Sequence, residues 1–506
     1  MPAICIPVGD PRQDVLFAQI ERANQLGSLL EICLDHCDPS LSPAECVRRS
    51  QLPIGFSYRS PAQGGIGTAG EEERRQQLMQ ALQVQPAFIE LDEVLAQQIP
   101  RLGSTQRVLS WGSVHHMPEN LAQLPKRAEE LEIDLIKIIW PGFVLESVAK
   151  LVQALPPLES KPWVGMPIGP LASTFAVLAA RWGAPWVMGA LDEPAWAGWP
   201  SVFDLHEIYR LEVVDPHTLV IGALGFGRWH RAVVDGLNRL CRHQALNLRC
   251  VETIAGRLDQ LGELLDQLKI PGLVVSPSFS TVPPSVHRAP QDSHDFVRLV
   301  ATYDALGRHQ QWTGSRVWDA SVVHTLQQVC LERGLGELRG MPVLLLGDHP
   351  RRTAVLERLT HAGAVVSWSV PEQEEIRFCP SCGAEWMPAH SSPTTQSDSG
   401  FVAWSSLVSR TCKILVLLQP HLAVGFAPEH LNPLVLKPGR LVLDGTMAEH
   451  SDVLVEARAR GCHIIPSSRV LAEHLARLLK KLTGQRVSTR EVWHILQAEQ
   501  HPEYQA

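Results

Sequence analysis

Apolar and polar positions divide the first 210 residues into a repeated pair of elements. The runs SLLEICLD (28–35), PIGFSYR (53–59), AFIELDE (87–93), RVLSW (107–111), DLIKIIW (134–140), WVGMPI (163–168) and WVMGAL (186–191) have the length and composition of strands. Between several of them lie stretches with helical spacing, such as EEERRQQLMQALQ and LESVAKLVQAL. Near-continuous apolar strands that alternate with helices build a parallel sheet covered by those helices. The number of repeats suits a closed (β/α)8 barrel.

EIYRLEVVDPHTLVIG (207–222) reads as a junction, a helix end running into a new strand. A second α/β segment follows to about 335, then a third beginning LRGMPVLLLGDHP. The third holds PVLLLG (342–347), AVVSWSV (364–370), KILVLL (413–418), RLVLDG (440–445) and CHIIPS (462–467), with helices in most gaps. That order suits an open, Rossmann-like doubly wound sheet. PAHSSPTTQSDSG (388–400) is a polar, low-complexity loop within it. The expected domains are 1–212, 213–335 and 336–506.

A formal net charge of −8 leaves no basic surplus to hold a nucleic-acid backbone or an anionic membrane. The N-terminus MPAICIPVGDPRQD lacks the charged and apolar regions of a signal peptide, and no apolar run reaches the 18 or so residues that cross a bilayer. A cytoplasmic protein with a small-molecule substrate, and no nucleic-acid or membrane partner, is expected. Eleven cysteines, odd in number and scattered, argue against a disulfide framework.

In IDLIKIIWPG (133–142) one lysine, Lys137, stands at the centre of an apolar run. Burying it costs several kcal/mol of hydration unless something compensates. Residues near the C-terminal ends of barrel strands point into the active site. Glu31 and Asp35 in LLEICLDHCD and Arg59 in FSYRSPAQGG are the other candidates in such positions. A partly desolvated lysine favours its neutral amine, a nucleophile that forms a Schiff base with a ketone. The alternative is an ion pair between Lys137 and a barrel carboxylate that does nothing more. Elsewhere, RFCPSCGAEW places Cys379 and Cys382 at the spacing of a zinc knuckle. A closed zinc site wants four ligands and there is no second C-x-x-C, so His390 or Cys412 would have to contribute; a plain surface loop is the default.

LLEICLDHCD, FSYRSPAQGG, LSWGSVHHMPENL, DLIKIIW and MGALDEPAWAGWPSV resemble, in order and spacing, the motifs of type I 3-dehydroquinate dehydratase. The downstream segments resemble shikimate dehydrogenase, and fusions of the two exist in the shikimate pathway. The resemblance implies that Lys137 is the imine-forming lysine and that Glu31 and Arg59 contact substrate. The substrate would be 3-dehydroquinate or a related cyclic ketone, converted to 3-dehydroshikimate without a metal, in a barrel that dimerises.

Several positions depart from the family pattern. Gly112 stands where the proton-transferring histidine is expected, with His115 and His116 three and four residues later as the available substitutes. Cys33 and Ala176 replace arginines, and the lid has become Ala195-Trp-Ala-Gly-Trp199. In the dehydrogenase-like half Asp319 of SRVWDAS matches a substrate-binding aspartate, while Ser280 occupies the lysine position and Arg228 and His230 fall near a serine pair. The phosphate loop GDHPRR keeps Gly347 but inserts Pro350, which has no N–H to offer; Arg351 and Arg352 are the remaining cationic candidates for NADP. His474 falls at a substrate-contacting glutamine, where a solvated or core histidine is the commoner explanation. The expected function is a Schiff-base lyase fused to a degenerate dehydrogenase half. The alternatives are a catalytically inactive homologue that binds a metabolite or serves as a scaffold, and an imine-forming lyase or aldolase for another ketone.

Overall fold

The computed structural model describes residues 2–155, 158, 161–191, 199–225, 227–276, 296–304, 307–347, 351–371, 400–419, 422–427, 430–446 and 451–498. Eight strands form the first sheet: β1 (Ala3–Val8), β2 (Leu29–Cys33), β3 (Ile54–Ser57), β4 (Phe88–Leu91), β5 (Gln106–Gly112), β6 (Leu135–Pro141), β7 (Trp163–Ile168) and β8 (Trp186–Met188). Their order is β7-β6-β5-β4-β3-β2-β1-β8, every pairing is parallel, and the two end strands touch. The ladder therefore runs once around a nearly closed barrel.

Helices α1 (Gln13–Leu26), α2 (Pro43–Arg49), α3 (Glu71–Leu82), α4 (Glu93–Gln98), α5 (Leu124–Glu130), α6 (Leu145–Ala154) and α7 (Ala172–Trp182) each follow one strand. Most bury a single face. α7 instead is apolar nearly all round and buries every residue from Thr174 to Arg181, as a helix covered on both sides must. The two polar residues within that buried run find backbone partners: Thr174 Oγ1 donates to Glu252 O at 2.7 Å and Arg181 Nη1 to Lys269 O at 2.9 Å.

A second sheet contains β9 (Leu219–Leu224), β10 (Leu248–Thr253), β11 (Gly272–Val275), β12 (Phe296–Asp304) and β13 (Gly307–Ser315), in the order β10-β9-β11-β12-β13. β11 is parallel to β9, whereas β11, β12 and β13 run antiparallel. Helices α8 (Gly227–His243) and α9 (Leu261–Gln267) lie between its strands in sequence.

The third sheet is wholly parallel: β14 (Pro342–Leu346), β15 (Val365–Ser369), β16 (Ile414–Leu417), β17 (Leu441–Asp444) and β18 (His463–Ile465), ordered β15-β14-β16-β17-β18. Alternate residues feed separate cores on its two faces. Val343, Leu345, Ile414, Val416, Leu441 and Leu443 pack with α10 (Trp318–Glu332) and α11 (Arg352–His361). Leu344, Leu346, Leu415, Leu417 and Val442 pack with α12 (Asp452–Ala459). This is the doubly wound arrangement expected from the apolar runs, with its strand order reversing between β14 and β16. Helices α13 (Ser467–Thr483) and α14 (Thr489–Ala498) complete the described chain.

The chain falls into two compact units, Met1–Ile221 with Gln244–Ile270, and Gly222–His243 with Pro271–Ala506. Among the described residues no helix is long and apolar enough to cross a membrane, and the cysteines are free thiols.

Candidate functional site

Layers inside a (β/α)8 barrel are built from side chains of alternate strands. The third residues of β2, β4 and β6 are Glu31, Glu90 and Lys137, and they meet in one layer. Lys137 Nζ donates to Glu31 Oε2 at 2.8 Å and to Glu90 Oε2 at 2.7 Å. Arg59, just past β3, closes the ring: its Nε is 3.3 Å from Glu90 Oε1 and its Nη2 donates to Glu31 Oε1. Ser57 Oγ adds a 2.7 Å bond to the same Glu31 oxygen. Two cations thus face two carboxylates, and all four side chains are buried.

The electrostatics follow from that packing. For Glu31, burial favours the neutral acid, but Arg59 and Lys137 outweigh it and bring its pKa down from 4.5 to about 2. For Lys137, burial and the neighbouring Arg59 push the pKa down, yet Glu31 and Glu90 overcome both and the net shift is upward. This corrects the expectation of a neutral amine. Lys137 rests as an ammonium in a closed, charge-balanced tetrad, 1 % exposed. Ile139, on the same interior face one step nearer the strand's C-terminal end, is 0 % exposed.

A cavity of about 550 Å³ opens beside the C-terminal ends of β4 and β5, lined by Asp92, Glu93, Ser110, Trp111, Gly112 and His116 among others. Its wall reaches Ser110, the register partner of Lys137, but not Lys137 itself. Gln63 Nε2 ties the neighbouring loop to Ser110 O at 3.0 Å. Gly112 has φ +111°, and a Cβ placed there would lie 2.1 Å from the carbonyl oxygen of Ile139. Any side chain at 112 therefore needs a different backbone. His115 and His116 are exposed, their rings 6.3 Å apart, and His116 lines the cavity. Asp35 is spent on structure: it accepts from Ile66 N at 3.1 Å and Arg59 N at 3.4 Å, pinning the loop after β3, and lies 3.4 Å from His36 Nε2.

In the second unit Asp319 sits in the first turn of α10, 0 % exposed, paired with Arg358 and, at 3.3 Å, with Arg316. His230 Nε2 bonds Ala223 O at 2.7 Å. Gly347 keeps the left-handed φ of +103° at the end of β14, where a Cβ would lie 2.4 Å from Gln419 Cβ. Arg351 is fully buried and the Arg352 guanidinium stacks 4.1 Å over the Trp368 ring. His474 packs on Trp229 with ring centroids 5.5 Å apart. Those two residues with Trp318, Asp444, Gly445, Ser467, Val470 and Leu471 bound a crevice too narrow to admit water. Cys379, Cys382, His390, Ser280 and the Arg228 side chain lie outside the described residues. Cys412 is a buried thiol packed in the core with Leu415 and Leu417.

Glu90 was not among the candidates found from sequence. The signal was available: a carboxylate at the centre of the apolar run AFIELDE raises the same question as the lysine in DLIKIIW.

A family model described as type I 3-dehydroquinase matches residues 4–216. The bifunctional 3-dehydroquinate dehydratase/shikimate dehydrogenase of Arabidopsis thaliana is 26 % identical over 237 residues, 44 % of this chain and 39 % of that protein; the chain thus spans about two fifths of that relative. The 3-dehydroquinate dehydratase of Thermococcus onnurineus is 27 % identical over 193 residues, 37 % of this chain and 87 % of that enzyme. Among solved structures, the dehydroquinate dehydratase and shikimate dehydrogenase of S. pombe AroM aligns over 98 % of both chains at 15 % identity and a TM-score of 0.40. The shikimate dehydrogenase of Aquifex aeolicus aligns over 55 % of this chain and 98 % of its own at 16 % identity and a TM-score of 0.40.

Proposed function

We propose, from the match of residues 4–216 to the type I 3-dehydroquinase model, that the barrel is a Schiff-base lyase of the shikimate pathway that acts on 3-dehydroquinate or a closely related cyclic hydroxyketone. Lys137 supplies the amine. Its nitrogen replaces the ketone oxygen, released as water. The imine draws electrons from the adjacent carbon so that a proton and then the hydroxyl group leave, together as water, and hydrolysis of the imine by a further water returns the product ketone and the free amine. The observation that supports this reading is an amine at the centre of a barrel layer in the segment that matches the family model. Its ion pairs with Glu31 at 2.8 Å and Glu90 at 2.7 Å are also what the alternative of an inert ion pair requires, and a substrate has to displace them. An apolar layer of similar volume would stabilise a barrel as well or better than four buried charges, so the tetrad is better accounted for by chemistry than by stability.

The ammonium must first lose its proton. Glu31, held at about 2, is a poor acceptor; Glu90 Oε2, 2.7 Å from Nζ, is the other carboxylate in reach. Position 112 supplies no imidazole, and general acid–base help of that kind is worth about 10²- to 10⁴-fold. The barrel therefore captures the ketone and completes the elimination slowly. A second reading, an inactive homologue that binds a metabolite or serves as a scaffold, is favoured by one specific observation: the Gly112 backbone excludes a side chain there.

For the other half we propose that no dinucleotide binds. A pyrophosphate is held by backbone N–H groups and cations at the turn after the first strand; Pro350 has no N–H to offer, Arg351 is buried and Arg352 stacks on Trp368. Titration of NADPH fluorescence with the full chain is expected to show no saturable change.

Borohydride reduction of the full chain with 3-dehydroquinate tests the barrel. A mass increment on the Lys137 peptide, with slow growth of dehydroshikimate absorbance, is the expected result. Neither signal would leave the inactive reading. An adduct only with other ketones from a panel would mark a lyase or aldolase of different substrate.

A further inference from the structure

The second unit holds a cleft of about 510 Å³ between the start of α10, the last turns of α13 and the segment leading into α14. Arg316, Arg477, Lys480, Lys481 and Arg486 line it, against one carboxylate, Glu473. This is a local excess of positive charge in a chain of net charge −8.

Glu473 does not neutralise the cleft. It is 4 % exposed and is bound by Arg477 Nε and Thr489 Oγ1, with His324 Nδ1 3.0 Å away. Arg316 is likewise committed, to Asp319 at 3.3 Å and Glu357 at 3.2 Å. Lys480 and Arg486 are exposed, and among the described residues neither has a carboxylate in ion-pair range. Basic residues at the C-terminal end of a helix complement its dipole, which accounts for Lys480 and Lys481 on α13. It accounts for neither Arg316 nor Arg486, which come from other segments and converge on the same space.

We propose that this cleft binds a small, multiply phosphorylated metabolite. Its volume lies within the roughly 300–1,000 Å³ of small-molecule sites, and arginine with lysine is the donor set that suits phosphate. Ser488 and Thr489 at the start of α14 line the same space. A concave cleft between helices suits a compact anion better than a nucleic-acid strand, which needs an extended basic track.

The test is isothermal titration of the full chain with inorganic pyrophosphate at low ionic strength. Saturable one-to-one binding that weakens with added salt is expected. The Lys480→Glu/Arg486→Glu double variant should bind about tenfold or more weakly and still melt cooperatively, its midpoint lowered only slightly because both side chains are exposed and, of the two, Lys480 alone serves the α13 terminus. Lys480→Gln/Arg486→Gln repeats the measurement without charge reversal. No saturable binding to the parent chain, equal binding by both double variants, or tighter binding of a short single-stranded oligonucleotide at the same residues would each overturn the assignment.

Discussion

Lys137 Nζ and Glu31 Oε2 lie 2.8 Å apart inside the barrel although 106 residues separate them in sequence. The pair exists because β2 and β6 present their third residues to one interior layer, and Glu90 and Arg59 balance its charge. Glu31→Gln leaves two buried cations with one carboxylate. Removing one partner of a buried network costs about 3–5 kcal/mol. The barrel should lose stability of that order in urea unfolding, and Lys137 should titrate at lower pH. Unchanged stability would mean that water reaches the tetrad.

The same tetrad sets two pH limits. The pKa of Glu31 falls from 4.5 to about 2 on folding, so its contribution, on the order of 3 kcal/mol, is present above pH 4.5 and is lost as pH falls towards 2. Lys137 is raised above 10.5, so its contribution is present below that pH and is lost as pH rises through the folded value. Imine formation runs the opposite way, because only the neutral amine attacks. Borohydride trapping at Lys137 should therefore increase with pH up to the alkaline limit of folding. A bell centred near neutrality would point to a separate base.

Strands with apolar residues on both faces were legible from the chain, because a parallel sheet covered by helices demands them, and so were Glu31, Arg59 and Lys137 as residues out of place in such runs. The protonation state of Lys137 was not legible. It depends on two carboxylates arriving from strands far away in sequence, one of which, Glu90, looked like an ordinary strand residue. The antiparallel pair β12–β13 was also missed, since VRLVATYD and GRHQQWTG carry no strong apolar alternation. Gly112 read as a lost histidine; the structure adds that the Ile139 carbonyl now occupies the space a side chain would need.

That contact yields a prediction about repair. Gly112→His would supply the histidine that the sequence resemblance implies but force its Cβ against a backbone carbonyl 2.1 Å away, at a φ of +111° that residues with side chains rarely adopt. The variant should be destabilised by about 1–3 kcal/mol and gain no dehydratase activity, as read by thermal melting and dehydroshikimate absorbance. A gain in rate would show that the β5–β6 ladder yields easily.

His474 offers a pH probe in the second unit. It is fully buried, and among the described residues neither ring nitrogen has a hydrogen-bond partner. Burial, with Arg351 and Arg477 nearby, lowers its pKa from 6.5 to about 3, and Glu473 opposes this only weakly. The folded state therefore holds the neutral ring while the unfolded chain takes up a proton below 6.5. Stability should fall as pH drops from 6.5 towards 3, by up to about 5 kcal/mol in all. His474→Leu removes the titrating group and replaces an unsatisfied polar ring by an apolar side chain, a change expected to be neutral or stabilising at pH 7. Melting temperatures of the two chains should then diverge below pH 6.5, the parent falling faster. Parallel curves would mean that His474 gains a partner or water on acidification, and that the Trp229 contact opens more readily than its packing implies.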